Sequence, residues 1–165
     1  MLSKEILLEL EQYVEMSLNS LTFSLHYSEE ANYSILETEQ NIELEDFVKN
    51  RRKPTLREVL FSYIDQIGAT DAEIYKKAGI DRKLFSKIRT NENYRPGKNT
   101  IIALALALEL ERDDADDLLG AAGYSLSESE TFDLVIQFCF EKSIYNLLDV
   151  NEALDYFSLK PLSGA

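Results

Sequence analysis

The stretch TDAEIYKKAGIDRKLFSKIRT, residues 70–90, decides which fold the chain can adopt. Thr70 followed by Glu73 is a capping box, in which each side chain accepts a hydrogen bond from a backbone N–H at the start of a helix. Gly79 can adopt the left-handed conformation that closes a helix, and Asp81 is placed to cap a second one. The stretch therefore predicts a helix, a tight turn and a second helix.

Both predicted helices carry apolar residues at the spacing of one helix face. The residues expected to point inward are Ile74, Tyr75 and Ala78 in the first helix, and Leu84, Phe85 and Ile88 in the second. The residues of the second helix expected to face outward are Arg82, Lys83, Ser86, Lys87 and Arg89. Side chains of these types bind phosphates and base edges, so this surface is a candidate nucleic-acid contact.

This pattern resembles the phage-repressor-like (Xre-type) helix-turn-helix family. The residues that carry the resemblance are Ile74, Gly79, Ile80, Asp81, Phe85, Ser86, Lys87 and Ile88. The resemblance extends to about residue 123, because Pro96 and residues 99–110 are similar to the helix that follows in the family. Tyr75 and Ala78 depart from the family's usual small and large residues at their positions, an exchange that can conserve packed volume.

The resemblance implies a sequence-specific DNA-binding transcriptional regulator, bacterial or phage, with residues 81–90 as the recognition helix in the major groove of double-stranded DNA. Base or adjacent phosphate contacts are expected from Arg82, Lys83, Ser86 and Lys87. Contacts that position the DNA backbone are expected from Arg89, Tyr94, Arg95 and Lys98. Because repressors read paired half-sites, a homodimer is expected as well.

A second resemblance covers residues from about 55 to 157, which look like a segment at the C-terminus of some bacterial macrodomain (ADP-ribose-processing) proteins. The alternative function is a non-catalytic protein-interaction module on the same helical fold, such as an antitoxin-like or phage-defence accessory protein. The acidic surplus, the exchange at Tyr75 and two additional C-terminal helices favour this alternative. RNA binding is a third interpretation.

The net charge of −13 is unevenly distributed along the chain. Residues 1–48 hold one basic against eleven acidic residues, residues 49–98 thirteen against six, and residues 99–165 three against thirteen. Beyond a Debye length of about 8 Å at physiological salt the acidic flanks are largely screened, so the central region can still neutralise phosphates. The same asymmetry suits acidic flanks that bind a basic protein partner.

Composition narrows the class of protein. A content of 45% hydrophobic and 28% charged residues is typical of soluble globular proteins. No apolar run reaches the roughly 20 residues of a membrane helix, and the N-terminus does not read as a signal peptide, so a cytoplasmic protein is expected. Cys139 is the only cysteine, and neither it nor His26 is placed as a nucleophile beside a base. We predict no enzymatic activity, no metal ion and no cofactor.

The chain is predicted to divide into an acidic N-terminal module, residues 1–50, a basic linker, residues 51–54, and a helical domain, residues 55–160. The linker is either an arm along a phosphate backbone or a solvated connection. The module is expected to contain a helix over residues 4–18, a hairpin of residues 21–27 with 33–36, and a short helix over residues 43–50. Because two strands alone are marginal in water, the module is a candidate dimerisation element.

The predicted fold class is mainly α, a repressor-like helix-turn-helix bundle with two extra C-terminal helices and a small N-terminal α/β or helical appendage. A helix over residues 100–110 is apolar nearly all round and is expected to be the buried centre. Predicted caps of the other helices are Thr55 with Glu58, Asn99, Ser127 with Glu130, and Asp149 with Glu152.

Overall fold

The structure, a computed structural model, describes residues 2–20 and 39–162. The helices in these ranges are α1 (Lys4–Ser20), α2 (Glu39–Arg51), α3 (Leu56–Ile67), α4 (Asp71–Lys77), α5 (Arg82–Thr90), α6 (Lys98–Ala107), α7 (Arg112–Ala121), α8 (Thr131–Glu141) and α9 (Leu147–Tyr156). Neither range contains a β-strand. The mainly α class is therefore confirmed, whereas the predicted hairpin and His26 lie outside the described residues.

Helix α6 is the centre of the bundle. Every residue from Ile101 to Leu108 is buried, and helices α4, α7 and α9 pack against α6. A helix that is apolar on all sides removes its apolar surface from water only when other helices surround it. The prediction of a buried central helix is confirmed.

The starts of α3 and α4 are closed by the two predicted capping boxes. At α3, Thr55 N–H donates to Glu58 Oε2 at 2.9 Å, and Glu58 N–H donates to Thr55 Oγ1 at 3.3 Å. At α4, Thr70 N–H donates to Glu73 Oε2 at 2.8 Å, and Glu73 N–H donates to Thr70 Oγ1 at 3.3 Å. Each box satisfies two backbone donors that a helix start otherwise leaves without a partner.

The predicted capping box at Ser127 and Glu130 is wrong. Helix α8 begins only at Thr131, and Glu130 stands at its N-cap without a side-chain cap hydrogen bond. Ser127 is used differently: its N–H donates to Asp133 Oδ2 at 2.7 Å, and its hydroxyl pairs with that of Ser129 at 2.7 Å. The buried carboxylate of Asp133 therefore holds the turn before the helix.

The predicted caps of α6 and α9 are also wrong. Helix α6 begins at Lys98, with Gly97 rather than Asn99 at its N-cap. Asn146, not Asp149, caps α9, and its Oδ1 accepts a hydrogen bond from Leu148 N–H at 2.9 Å. Asp149 lies in the first turn of α9, where a negative charge interacts favourably with the helix dipole.

Helix α1 packs along α8 and α9 and completes their core. Leu10 and Val14 are buried there, and Glu9 pairs with Lys142 at 2.7 Å. The predicted helix near the N-terminus is confirmed, and it shares one apolar core with the C-terminal helices. The division of the chain at residues 51–54 stays a prediction.

A polar network ties α1, α7 and α8 together at the edge of this core. Tyr13 O–H donates to Glu141 Oε1 at 2.9 Å, and Arg112 donates to the same oxygen at 2.8 Å and to Asp116 at 3.2 Å. Burial, assisted by Glu141, raises the pKa of Tyr13 to about 12. The phenol therefore stays protonated at neutral pH and remains the donor in this network.

Cys139 lies fully buried on the apolar side of α8. Burial, with a smaller contribution from the negative charge of Asp149, raises the pKa of the Cys139 thiol to about 12. Because the thiolate is the reactive form, the folded protein keeps this cysteine unreactive.

We expect the folded protein at about pH 8, below the usual thiol pKa, to resist labelling by an aromatic disulfide reagent. The urea-unfolded chain should react with one equivalent, because it contains one cysteine. Release of the coloured thiolate measures both rates. Equally fast labelling of folded and unfolded protein would contradict the burial of Cys139.

Candidate nucleic-acid interface

Helices α4 and α5 meet at a tight turn. Gly79 has φ of 65°, in the left-handed region that favours glycine, and Ile80 N–H donates back to Tyr75 O at 2.9 Å. Asp81 caps α5 by accepting from Lys83 N–H at 3.1 Å. The predicted helix, turn and capped second helix are all confirmed.

The inner faces of α4 and α5 are anchored in the core. Four of the predicted inward residues are at most 2% exposed: Ile74, Ala78, Phe85 and Ile88. Tyr75 and Leu84 are half-buried. The Tyr75 ring lies tilted against Phe85 with 5.8 Å between centroids, and Phe61 of α3 meets Phe85 edge-on at 5.9 Å. An aromatic cluster thus fixes α5 against α3 and α4.

The outer face of α5 carries the exposed side chains of Arg82, Lys83, Ser86 and Lys87. At about 100° per residue these four positions fall on one side of the helix. Within residues 2–20 and 39–162, neither Arg82 nor Lys83 forms an ion pair. Lys87 Nζ lies 4.5 Å from the ring centroid of Tyr94, a cation–π contact. These positive charges therefore face solvent.

Arg89 lies two turns after Arg82 on α5, but its side chain is already paired. Its Nε and Nη2 each lie 2.7 Å from an oxygen of Asp71, a two-point contact of the strong kind. Its guanidinium carbon also lies 4.2 Å from the ring centroid of Phe61. Arg89, predicted to contact the DNA backbone, thus fastens α5 to α4 and α3.

Lys98 is directed to the interior. Its Nζ lies 2.6 Å from Asp133 Oδ2, and the Asp133 side chain is 3% exposed against 28% for Lys98. A buried carboxylate without a counter-charge is strongly unfavourable. In the structure the ammonium of Lys98 neutralises Asp133, and a contact of Lys98 with phosphate stays a prediction.

The loop between α5 and α6 places the remaining two candidates. Tyr94 is half-buried and packs on the core. Arg95 is exposed, lies 4.4 Å from the ring centroid of Tyr124 and donates to Gly123 O at 3.4 Å. Gly123 has φ of 80°, and a Cβ there would lie 3.1 Å from Arg95 Nη2. Only glycine fits this approach without a shift of the Arg95 side chain.

Sequence reasoning missed the acidic partners of these cations. For Asp133 the sequence did hold an indication, because this charged residue stands beside the apolar run of α8. The structure shows it buried on that helix. Asp71 carried none, because the first turn of a helix is an ordinary place for an acid. Glu92 pairs with Arg57 at 2.9 Å and ties the loop to α3. Nothing in the sequence around Glu92 indicated this pairing either.

Comparisons with known proteins supply no relative. No family model matches the chain, and no curated protein or solved structure matches it. In the described part of the chain, no group of three or more His, Cys, Asp or Glu side chains is placed to hold a metal ion. None of the described helices is both long and apolar enough to cross a membrane.

The Lys98–Asp133 pair makes a testable contribution to stability. Replacing Lys98 by alanine leaves a buried carboxylate unpaired, and we expect a loss of about 3 kcal/mol in the free energy of unfolding, measured by urea denaturation. The low end of the usual range applies because Lys98 is partly exposed.

Lys77→Ala is the matched control, since Lys77 pairs with Glu109 at 3.6 Å on the surface and both side chains are about 60% exposed. Its loss should stay below about 1 kcal/mol. The double variant Lys98→Met with Asp133→Asn should recover part of the loss, because it removes both charges. Similar small losses for Lys98→Ala and Lys77→Ala would contradict the interior role of Lys98.

Proposed function

We propose that the chain is a non-catalytic, sequence-specific DNA-binding regulator that inserts α5 into the major groove. The observation that carries the proposal is a helix with its apolar side fixed in the core and Arg82, Lys83, Ser86 and Lys87 exposed on the other. Recognition helices contact base edges through residues near their N-terminus. Arg82 and Lys83 occupy the first two positions of α5.

The chemistry of the outer face fits DNA. Arginine and lysine donate to the O6 and N7 atoms of guanine, and a serine hydroxyl donates to or accepts from several bases. Arg82 and Lys83 lack an internal counter-charge among the described residues, so both can replace the cations condensed on the phosphates. Affinity should therefore fall steeply as the salt concentration rises.

The candidate residues divide into four roles. Arg82, Lys83, Ser86 and Lys87 read bases or adjacent phosphates, and Arg95 binds the phosphate backbone beside them. Arg89 acts through Asp71 and Phe61 by holding α5 in place. Lys98 remains bonded to Asp133 and contributes to stability rather than to binding. We further propose that the regulator acts in the cytoplasm as a homodimer on paired half-sites.

A protein-interaction module on the same fold is the second candidate function. It is favoured by the exposed apolar side chains of α2, among them Leu44 and Phe47 at 59% and 58% exposure, which a DNA-binding helix does not need. Salt dependence separates the two functions. A chain that ignores duplex DNA at low salt and co-purifies with a basic protein partner belongs to the second class.

Selection of bound sequences from a random duplex library, with the full chain as bait, tests the leading proposal. A palindromic consensus is the expected result, because a twofold dimer reads two half-sites. Absence of any enriched sequence at low salt would overturn it.

On the selected duplex, Arg82→Ala and Lys87→Ala should each weaken binding by about 1–3 kcal/mol, which is roughly 5- to 150-fold in the dissociation constant. Lys160→Ala is the control, since the substitution removes the same charge from an exposed side chain on the C-terminal side of α9. Fluorescence anisotropy over a series of salt concentrations measures the dissociation constants of the three variants and of the unchanged chain. Unchanged affinity of both α5 variants would refute the assigned contacts.

A further inference from the structure

Helix α2 is exposed along its whole described surface. Every residue from 41 to 53 is exposed, including four large apolar ones: Ile42 at 66%, Leu44 at 59%, Phe47 at 58% and Val48 at 47%. A helix of 13 residues is marginal in water without tertiary packing. The stability of α2 therefore calls for a surface that covers its apolar side chains.

Three of these side chains form a stripe. Leu44, Phe47 and Val48 are spaced i, i+3 and i+4, so they lie on one side of the helix. Arg51 follows at i+7, and its guanidinium carbon lies 4.9 Å from the ring centroid of Phe47. A narrow apolar stripe of this kind is what packed helix pairs bury between them.

The charges on α2 indicate what covers the stripe. The first half of the helix is acidic, with Glu43, Glu45 and Asp46, and the second half runs into the basic residues Lys49, Arg51, Arg52 and Lys53. An antiparallel copy of the same helix sets each acidic half against a basic half. A parallel copy sets like charges together. The stripe is thus complementary to itself in one orientation only.

We propose that α2 is the contact between two copies of this chain, paired antiparallel about a twofold axis. An isologous contact of this type needs one self-complementary surface per copy, which the stripe and the two charged halves provide. The proposal names the surface for the homodimer of the proposed function, but it does not require that function. One short helix per copy makes a small interface, so the dimer should be weak and depend on concentration.

The pairing has a geometric consequence for DNA reading. Only four residues, 52–55, separate the end of α2 from the start of α3. Four extended residues span at most about 14 Å, so joining two copies through α2 limits the distance between their α5 helices. Recognition of two half-sites at fixed spacing requires that the two α5 helices stay within a limited distance of each other.

Charge reversal provides the sharpest test. Glu43→Lys with Glu45→Lys leaves Glu39 and Asp46 as the acids of α2 and makes the helix predominantly basic, whereas Arg51→Glu with Arg52→Glu makes it predominantly acidic. We expect each double variant alone to sediment as a monomer at concentrations where the unchanged chain is a dimer. An equimolar mixture of the two should form a heterodimer, because opposite charges then face each other along the whole pair.

Substitution of the stripe provides the second test. Leu44→Lys should shift the monomer–dimer midpoint at least tenfold to higher concentration. Leu148→Lys on α9 is the matched control, because Leu148 is even more exposed, at 79%, and lies outside the stripe; its midpoint should not move. Circular dichroism of each variant confirms that the bundle has kept its helices.

Sedimentation is measured without DNA, so the result stands whether or not the chain binds a duplex. A monomeric unchanged chain at all concentrations would overturn the proposal and would indicate that another part of the same chain, or a different protein, covers α2. Failure of the two charge variants to assemble when mixed would overturn the antiparallel pairing. An equal shift for Leu148→Lys would exclude the stripe as the contact.

Discussion

Burial of α6 on all its sides is the constraint on which the rest of this structure depends. The apolar side chains of residues 101–108 are all buried. They can stay out of water only because α4, α7 and α9 pack around them. Helix α4 is thereby fixed, and the left-handed Gly79 sets where the chain goes next. Helix α5 then packs Phe85 and Ile88 inward, and its basic side has only solvent left to face.

Internal ion pairs explain how a chain with a net charge of −13 offers a small basic surface. The central region is rich in cations, but four of them already form ion pairs: Arg57 with Glu92, Lys77 with Glu109, Arg89 with Asp71 and Lys98 with Asp133. What remains on the outer face of α5 is Arg82, Lys83 and Lys87. Counting charges along the sequence therefore overstates the surface available to phosphates, and it says nothing of which cations compose it.

Local signals were predictable from the sequence, and long-range pairings were not. The capping boxes at Thr55 and Thr70 and the glycine turn depend on residues no more than five positions apart, where spacing alone defines the geometry. The pairs Arg89–Asp71 and Lys98–Asp133 join residues 18 and 35 positions apart. The side on which a long cationic side chain lies depends on that partner, so spacing within α5 or α6 could not assign it.

The same distinction explains the errors in the helix starts. Ser127 matches a capping motif, but the buried carboxylate of Asp133 binds its N–H and delays α8 to Thr131. Packing of α1 on α8 and α9 likewise joins opposite ends of the chain, and no periodicity within α1 names its partner. The amphipathic pattern predicted which face of α1 is buried, but only the tertiary structure shows that this face packs on α8 and α9.

The most direct test of the basic face of α5 is a nuclear magnetic resonance titration of the isotope-labelled chain with a selected DNA duplex. Amide signals of residues 81–87 and of the loop over residues 91–95 should shift most, and those of α8 and α9 should stay in place. Shifts confined to α1, α8 and α9, or no shifts at low salt, would contradict this expectation.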